Sequence, residues 1–99
     1  MKETFYFPHN DNAIGDEKIT RLLMGMGYEG YGLYWAVVEK LYQSGGKLQA
    51  DFDLIAFGLR CEKEKVSRLV SDYELFSVAD GLLSSPAVDR RLKERYNRV

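Results

Sequence analysis

The chain is 99 residues long, 45% apolar and 29% charged, with a formal net charge of −1. That length allows one domain around one core, and the near-neutral balance excludes a uniformly basic nucleic-acid-binding surface. No apolar run reaches the ~18 residues that a membrane span needs, and a single cysteine, Cys61, excludes an internal disulfide and suits a reducing cytoplasm.

The charge is unevenly placed. Residues 1–59 hold five basic and eight acidic groups, net −3, whereas residues 60–99 hold nine basic and seven acidic groups, net +2. Any affinity for a polyanion therefore belongs to the second half. Met1-Lys2-Glu3-Thr4 lacks the basic-then-apolar pattern of a signal peptide, so a cytoplasmic location is expected. His9, Asp11 and Asp16 are the only neighbouring imidazole and carboxylates, and turn formation and helix capping explain them better than metal binding. No Ser/His/Asp order, phosphate-binding glycine loop or carboxylate pair can be argued. We therefore expect a non-enzymatic domain without a cofactor.

In chain order, Thr4-Phe5-Tyr6-Phe7-Pro8 is a short strand closed by proline, and His9-Asn10-Asp11-Asn12 reads as a turn. Asp16 and Glu17 open a first helix, with Ile19, Leu22, Leu23 and Met26 on its apolar stripe and Gly25 and Gly27 stopping it. A broadly apolar central helix is expected from about Tyr31 to Gln43. Tyr31, Tyr34, Trp35, Val38, Leu41 and Tyr42 follow its buried stripe, which Leu33 and Val37 widen. This places Trp35 in the core. Gly30 and Gly32 near its start leave room for a close neighbour. Ser44-Gly45-Gly46 ends it.

Lys47-Leu48-Gln49 is long enough for one rung of a sheet. Asp51 is a candidate cap for a short helix over 52–59, and a tight link through Arg60-Cys61 leads to a helix over 62–73 with Val66, Leu69, Val70 and Tyr73 inward. Leu75-Phe76-Ser77-Val78 and Leu82-Leu83-Ser84 flank an Asp80-Gly81 pair, the composition of a two-residue hairpin turn. Ser85-Pro86 starts the last helix, Ser85 as cap and Pro86 in the first turn. Val88, Leu92, Tyr96 and Val99 lie on one side of that helix. Residues 1–99 thus form one domain, and the helix over 86–99 is expected to lead to a further segment.

The fold expected is α+β, mostly α: a winged helix (helix-turn-helix plus β-hairpin wing) with an extra helix at each end. In such domains the second helix of the pair enters the DNA major groove. Here that helix turns Glu64, Lys65, Ser67, Arg68, Ser71 and Asp72 outward, two basic and two acidic groups among them. Lys65, Ser67, Arg68 and Ser71 are the candidate DNA contacts, and a solvated mixed-charge face is the plainer alternative. The most basic stretch, Arg90 to Arg98, adds Arg90, Arg91, Lys93 and Arg95, again with a solvated helix face as the alternative.

The segments Tyr6-Phe7-Pro8-His9, Asp16-Glu17-Lys18-Ile19, Glu29-Gly30-Tyr31-Gly32-Leu33-Tyr34-Trp35, Asp53-Leu54-Ile55-Ala56, Leu75-Phe76, Asp80-Gly81 and Ser84-Ser85 carry a resemblance. From about Phe5 to Arg95 the chain resembles an N-terminal domain of uncharacterised phage, prophage and gut-bacterial proteins. That domain is similar to the winged-helix N-terminal domain of DnaD-type replisome organisers. The resemblance implies a module of a phage or mobile-element replication protein, and in DnaD-like proteins this domain serves oligomerisation at least as much as DNA contact.

Two functions are therefore expected in competition. In the first, the domain binds duplex DNA weakly. In the second, it is an assembly module that joins a copy of itself, or a replication protein such as a helicase or its loader. Phe5, Tyr6, Phe7, Leu92 and Tyr96 are the candidate oligomer contacts, with a two-fold dimer the expected form.

Overall fold

The computed structural model of the protein describes residues 16–97, with side chains through residue 94. It is an α+β structure, mostly helical. The elements run α1 Glu17–Gln43, β1 Leu48–Gln49, α2 Phe52–Leu59, α3 Lys63–Asp72, β2 Ser77–Ala79, β3 Leu82–Ser84 and α4 Pro86–Asn97.

Local chemistry sets most of these boundaries. The Asp16 carboxylate accepts from the amides of Lys18 at 2.7 Å and Ile19 at 3.4 Å, which satisfies two donors that have no partner inside the helix. Asp51 does the same for α2 through Leu54 N at 3.1 Å. Asp80 and Gly81 both take positive φ, 55° and 74°, as a two-residue hairpin turn of this hand requires. Ser85 is fully buried, and its hydroxyl accepts from Val88 N at 3.4 Å at the start of α4.

One expected boundary is different. The first and central helices are a single element, α1, broken only at Gly27 (φ 67°, ψ −162°). No linker reaches to Tyr31, and Gly25 remains within the helix. A single glycine in a backbone region closed to other residues changes the helix direction, and the chain resumes helical geometry at once.

The stripe of α1 is also rotated from its expected place. Leu33, Tyr34, Val37, Val38 and Leu41 are buried, while Tyr31, Trp35 and Tyr42 are half-buried at its margins. Leu33, Val37 and Leu41, spaced by four, form the central row, and that displaces Trp35 to the edge. There its ring lies edge-on to Tyr34 at 5.1 Å and to Tyr31 at 6.3 Å. Trp35→Ala is accordingly expected to cost less than truncating a fully buried leucine, which thermal melts of the two variants would rank. Gly30 is buried, where a methyl would collide with the Met26 side chain, but Gly32 faces open space.

Tyr34 is the aromatic of the core, 6% exposed and 5.6 Å from the Phe76 ring. Burial favours its neutral form and pushes the phenol from 10.0 up to about 12. The folded state therefore holds this proton more tightly than the unfolded chain does. The resulting stability is complete below pH 10 and is lost as pH rises toward 12. Two units correspond to about 2–3 kcal/mol, so Tyr34→Phe should flatten the alkaline fall in stability, as measured by urea unfolding between pH 9 and 12.

The sheet has the order β1-β3-β2, all antiparallel. Leu83 of β3 faces Leu48 and Val78 and is fully buried. Ala50 N donates to Gly81 O at 2.9 Å, which ties the hairpin tip to the approach to α2. Ile55, Ala56, Val66, Leu69, Val70, Phe76, Leu83 and Val88 close one core against α1. Gly46, at φ 105°, sits under α4. A methyl there would lie 3.1 Å from Leu92 Cδ1, so the turn after α1 is cut to fit α4.

Candidate interaction surfaces

The α3 face is one of two candidates for DNA contact, and its two central cations are engaged elsewhere. Lys65 Nζ meets Glu29 Oε2 at 2.7 Å. Arg68 Nη2 donates to the Gly25 carbonyl at 3.0 Å, with Nε 3.8 Å from Asp72 Oδ2. Glu29 and Gly25 stand on either side of the Gly27 break, so α3 holds both halves of α1.

The chemistry of helix ends explains why these groups meet. Gly25 lies in the last turn before the break, where carbonyls run short of intrahelical donors and a cation is favoured. Glu29 lies in the first turn after it, where an acid is favoured. The hydrogen bond to Glu29 raises the Lys65 ammonium above its usual range. Close approach needs Gly25 to be glycine, because a methyl there would collide with the Tyr73 hydroxyl at the end of α3. Of the remaining α3 candidates, Ser67 is half-buried and Ser71 is exposed beside Asp72. Lys63 pairs with Asp53 at 3.4 Å.

On α4, Arg90 and Lys93 are exposed and Arg91 is half-buried. Among the described residues none of the three forms an ion pair. Arg95 and Tyr96 belong to the last turns of α4, beyond the described side chains. Leu92 is half-buried and packs on the core rather than standing clear of it. Phe5, Tyr6, Phe7, His9 and Asp11 lie outside the described residues, and Asp16 acts as the cap of α1.

Sequence reasoning missed the exposed apolar groups. Leu54 and Phe57 on α2 are 65% and 70% exposed, and Met24 and Tyr28 beside the Gly27 break more so. Val78 and Leu82 are exposed on the hairpin. The Arg60 guanidinium lies 5.4 Å from the Phe57 ring centroid, within cation–π range. The signal for α2 was present. Phe52-Asp53-Leu54-Ile55-Ala56-Phe57-Gly58-Leu59 holds one charged residue, and a helix apolar on every side that packs on one side must leave apolar groups on the other.

The other features lack convergent chemistry. A shallow pocket between the start of α1 and the end of α3 is lined by Glu17, Lys18, Arg21, Asp72, Tyr73 and Glu74. Its walls are partly self-paired, Arg21 to Glu17 at 2.7 Å and Lys18 to the Glu74 carbonyl at 3.1 Å. Burial pushes the Cys61 thiol up, away from the reactive thiolate. No helix among the described residues is long and apolar enough to cross a membrane.

A family model described as Lin1244/Lin1753-like, N-terminal, matches residues 6–88. No curated protein matches the chain, and no solved structure does.

Proposed function

The chain belongs to the Lin1244/Lin1753-like N-terminal family, and from that premise we propose that it is a non-catalytic winged-helix module that assembles a replication complex of a phage or mobile element. In this reading α2 and α3 are the helix-turn-helix pair, β2 and β3 are the wing, and the partners are further copies of the chain or replication proteins such as a helicase or its loader. The cytoplasm is the compartment that fits such partners.

The observation that favours assembly over DNA reading is the engagement of Lys65 and Arg68 by α1. A helix that reads a major groove presents its cations to phosphates and bases. Here the two central cations of α3 hold a broken helix instead, beside the acids Glu64 and Asp72, while large apolar side chains stand in solvent on α2.

A second reading, weak duplex binding, is favoured by Arg90, Arg91 and Lys93 on α4. Three phosphates neutralised there would give a slope of log K against log salt of about −2.7, or about −3.6 if Arg95 joins them. Fluorescence anisotropy with random duplex at low salt tests both readings. Binding that is lost on Arg90→Gln with Lys93→Gln and unchanged by Lys65→Gln with Arg68→Gln would favour the second reading, whereas the assembly reading expects none. Binding that depends on Lys65 and Arg68 would contradict it.

A further inference from the structure

We infer that the outward face of α2 is a two-fold interface between two copies of this chain. The inference rests on the assembly reading and names its partner. Leu54 and Phe57 are three residues apart and share one helix face. Gly58 follows Phe57 and adds no side chain that would hold a second helix away.

The charges around this face point to a second copy rather than to an unrelated partner. Its N-terminal end carries Asp51 and Asp53; Asp51 caps the helix and Asp53 meets Lys63 at 3.4 Å, with both side chains largely exposed. Its C-terminal end carries Arg60, and the Lys40 ammonium lies 3.6 Å from where a Gly58 methyl would stand. Arg60 is held in place: it adopts φ 58°, its amide donates to Phe57 O at 3.1 Å, and its guanidinium covers the Phe57 ring. With Lys63 counted beside Asp53, the patch keeps one net negative charge at one end, is apolar in the middle and is basic at the other.

A two-fold axis through the middle of such a patch lays α2 antiparallel on its copy. Leu54 then faces Phe57 of the second copy, and Asp53 lies two residues, about 3 Å along the axis, from the level of Arg60 of the second copy, within reach of its long side chain. Isologous contacts require this kind of self-complementarity. Two apolar side chains from each copy and two ion pairs in all are small for an interface, at the low end of specific contacts. The dimer is therefore reversible, with a dissociation constant on the order of 100 μM, and weakened by salt.

Sedimentation equilibrium of the 99-residue chain across this concentration range tests the inference. The expected result is a monomer–dimer equilibrium above the 11.4 kDa monomer, weakened roughly tenfold or more by Phe57→Ser. Asp53→Arg alone and Arg60→Asp alone should each be monomeric, because each sets like charges opposite one another. Mixing these two variants should restore a dimer, because each introduced charge then meets its opposite and a native pair remains at the other end. Aspartate tolerates the left-handed backbone of position 60, and circular dichroism verifies the helical signal of each variant. Should a charge variant unfold, Leu54→Ser and Phe57→Ser decide, since both sites are exposed.

A single 11.4 kDa species at all concentrations, a dimer indifferent to Phe57→Ser, or no recovery on mixing overturns the interface. A monomer at all concentrations would also remove further copies of the chain from the assembly reading and leave replication proteins as its partners; that reading itself falls if duplex binding depends on Lys65 and Arg68.

Discussion

Leu69→Ala is expected to lower the stability of the domain by about 3–5 kcal/mol, the range for truncating a fully buried leucine in a core that relaxes only partly. Leu69 has no exposed surface and sits on α3 between Val66 and Val70, inside the one cluster that joins α1, α2 and α3. Domains of this size are stable by only about 5–15 kcal/mol in total, so the loss approaches the whole margin. Chemical denaturation measures it directly. The effect should reach the α1 break, because an α3 that no longer seats cannot hold Glu29 and Gly25. A loss under about 1 kcal/mol would mean that α3 is not anchored in the core.

Gly27→Ala is expected to cost about 1–3 kcal/mol, although alanine is the better helix former. At φ 67° and ψ −162° a Cβ is strained whatever the space around it, and nothing lies within 4 Å of the added methyl. The cost is therefore conformational rather than steric. Alanine favours a straightened α1, which would carry Gly25 away from Arg68 and Tyr73. Gly32→Ala is the control. Gly32 is helical, exposed and open, so alanine there should stabilise by about 0.5–1 kcal/mol. Thermal melts giving opposite signs at positions 27 and 32 would support this account of the break, and equal signs would contradict it.

The parts of the fold that were legible in the sequence are those set by chemistry within a few residues. The Asp51 cap, the Asp80-Gly81 turn and the Ser85-Pro86 start of α4 each have a local cause. The nature of the break at Gly27 was not legible. A glycine that ends a helix and one that bends it look alike until a neighbour fixes the direction of the second half, and here that neighbour is α3. The place of Trp35 depended on the same point, because the bend sets which side of α1 meets the core.

The candidate surfaces were harder to read for a related reason. Helical periodicity put Lys65 and Arg68 on the outer side of α3, which is consistent with exposed or half-buried positions. It could not show their partners, which lie 36 and 43 residues away in sequence. Conversely, the uniform apolarity of α2 was visible, but which of its sides faced solvent was set by packing against α3 and the core.

The most direct measurement is an NMR titration of the ¹⁵N-labelled chain with random duplex DNA at low salt, following backbone amides residue by residue. With Lys65 and Arg68 committed to α1, the amides of α3 from residue 64 to residue 71 should stay unshifted, and any perturbation should be confined to the basic face of α4 around Arg90 to Lys93. Saturable shifts centred on Lys65, Ser67, Arg68 and Ser71 would contradict the account and return α3 to the role of a DNA-reading helix.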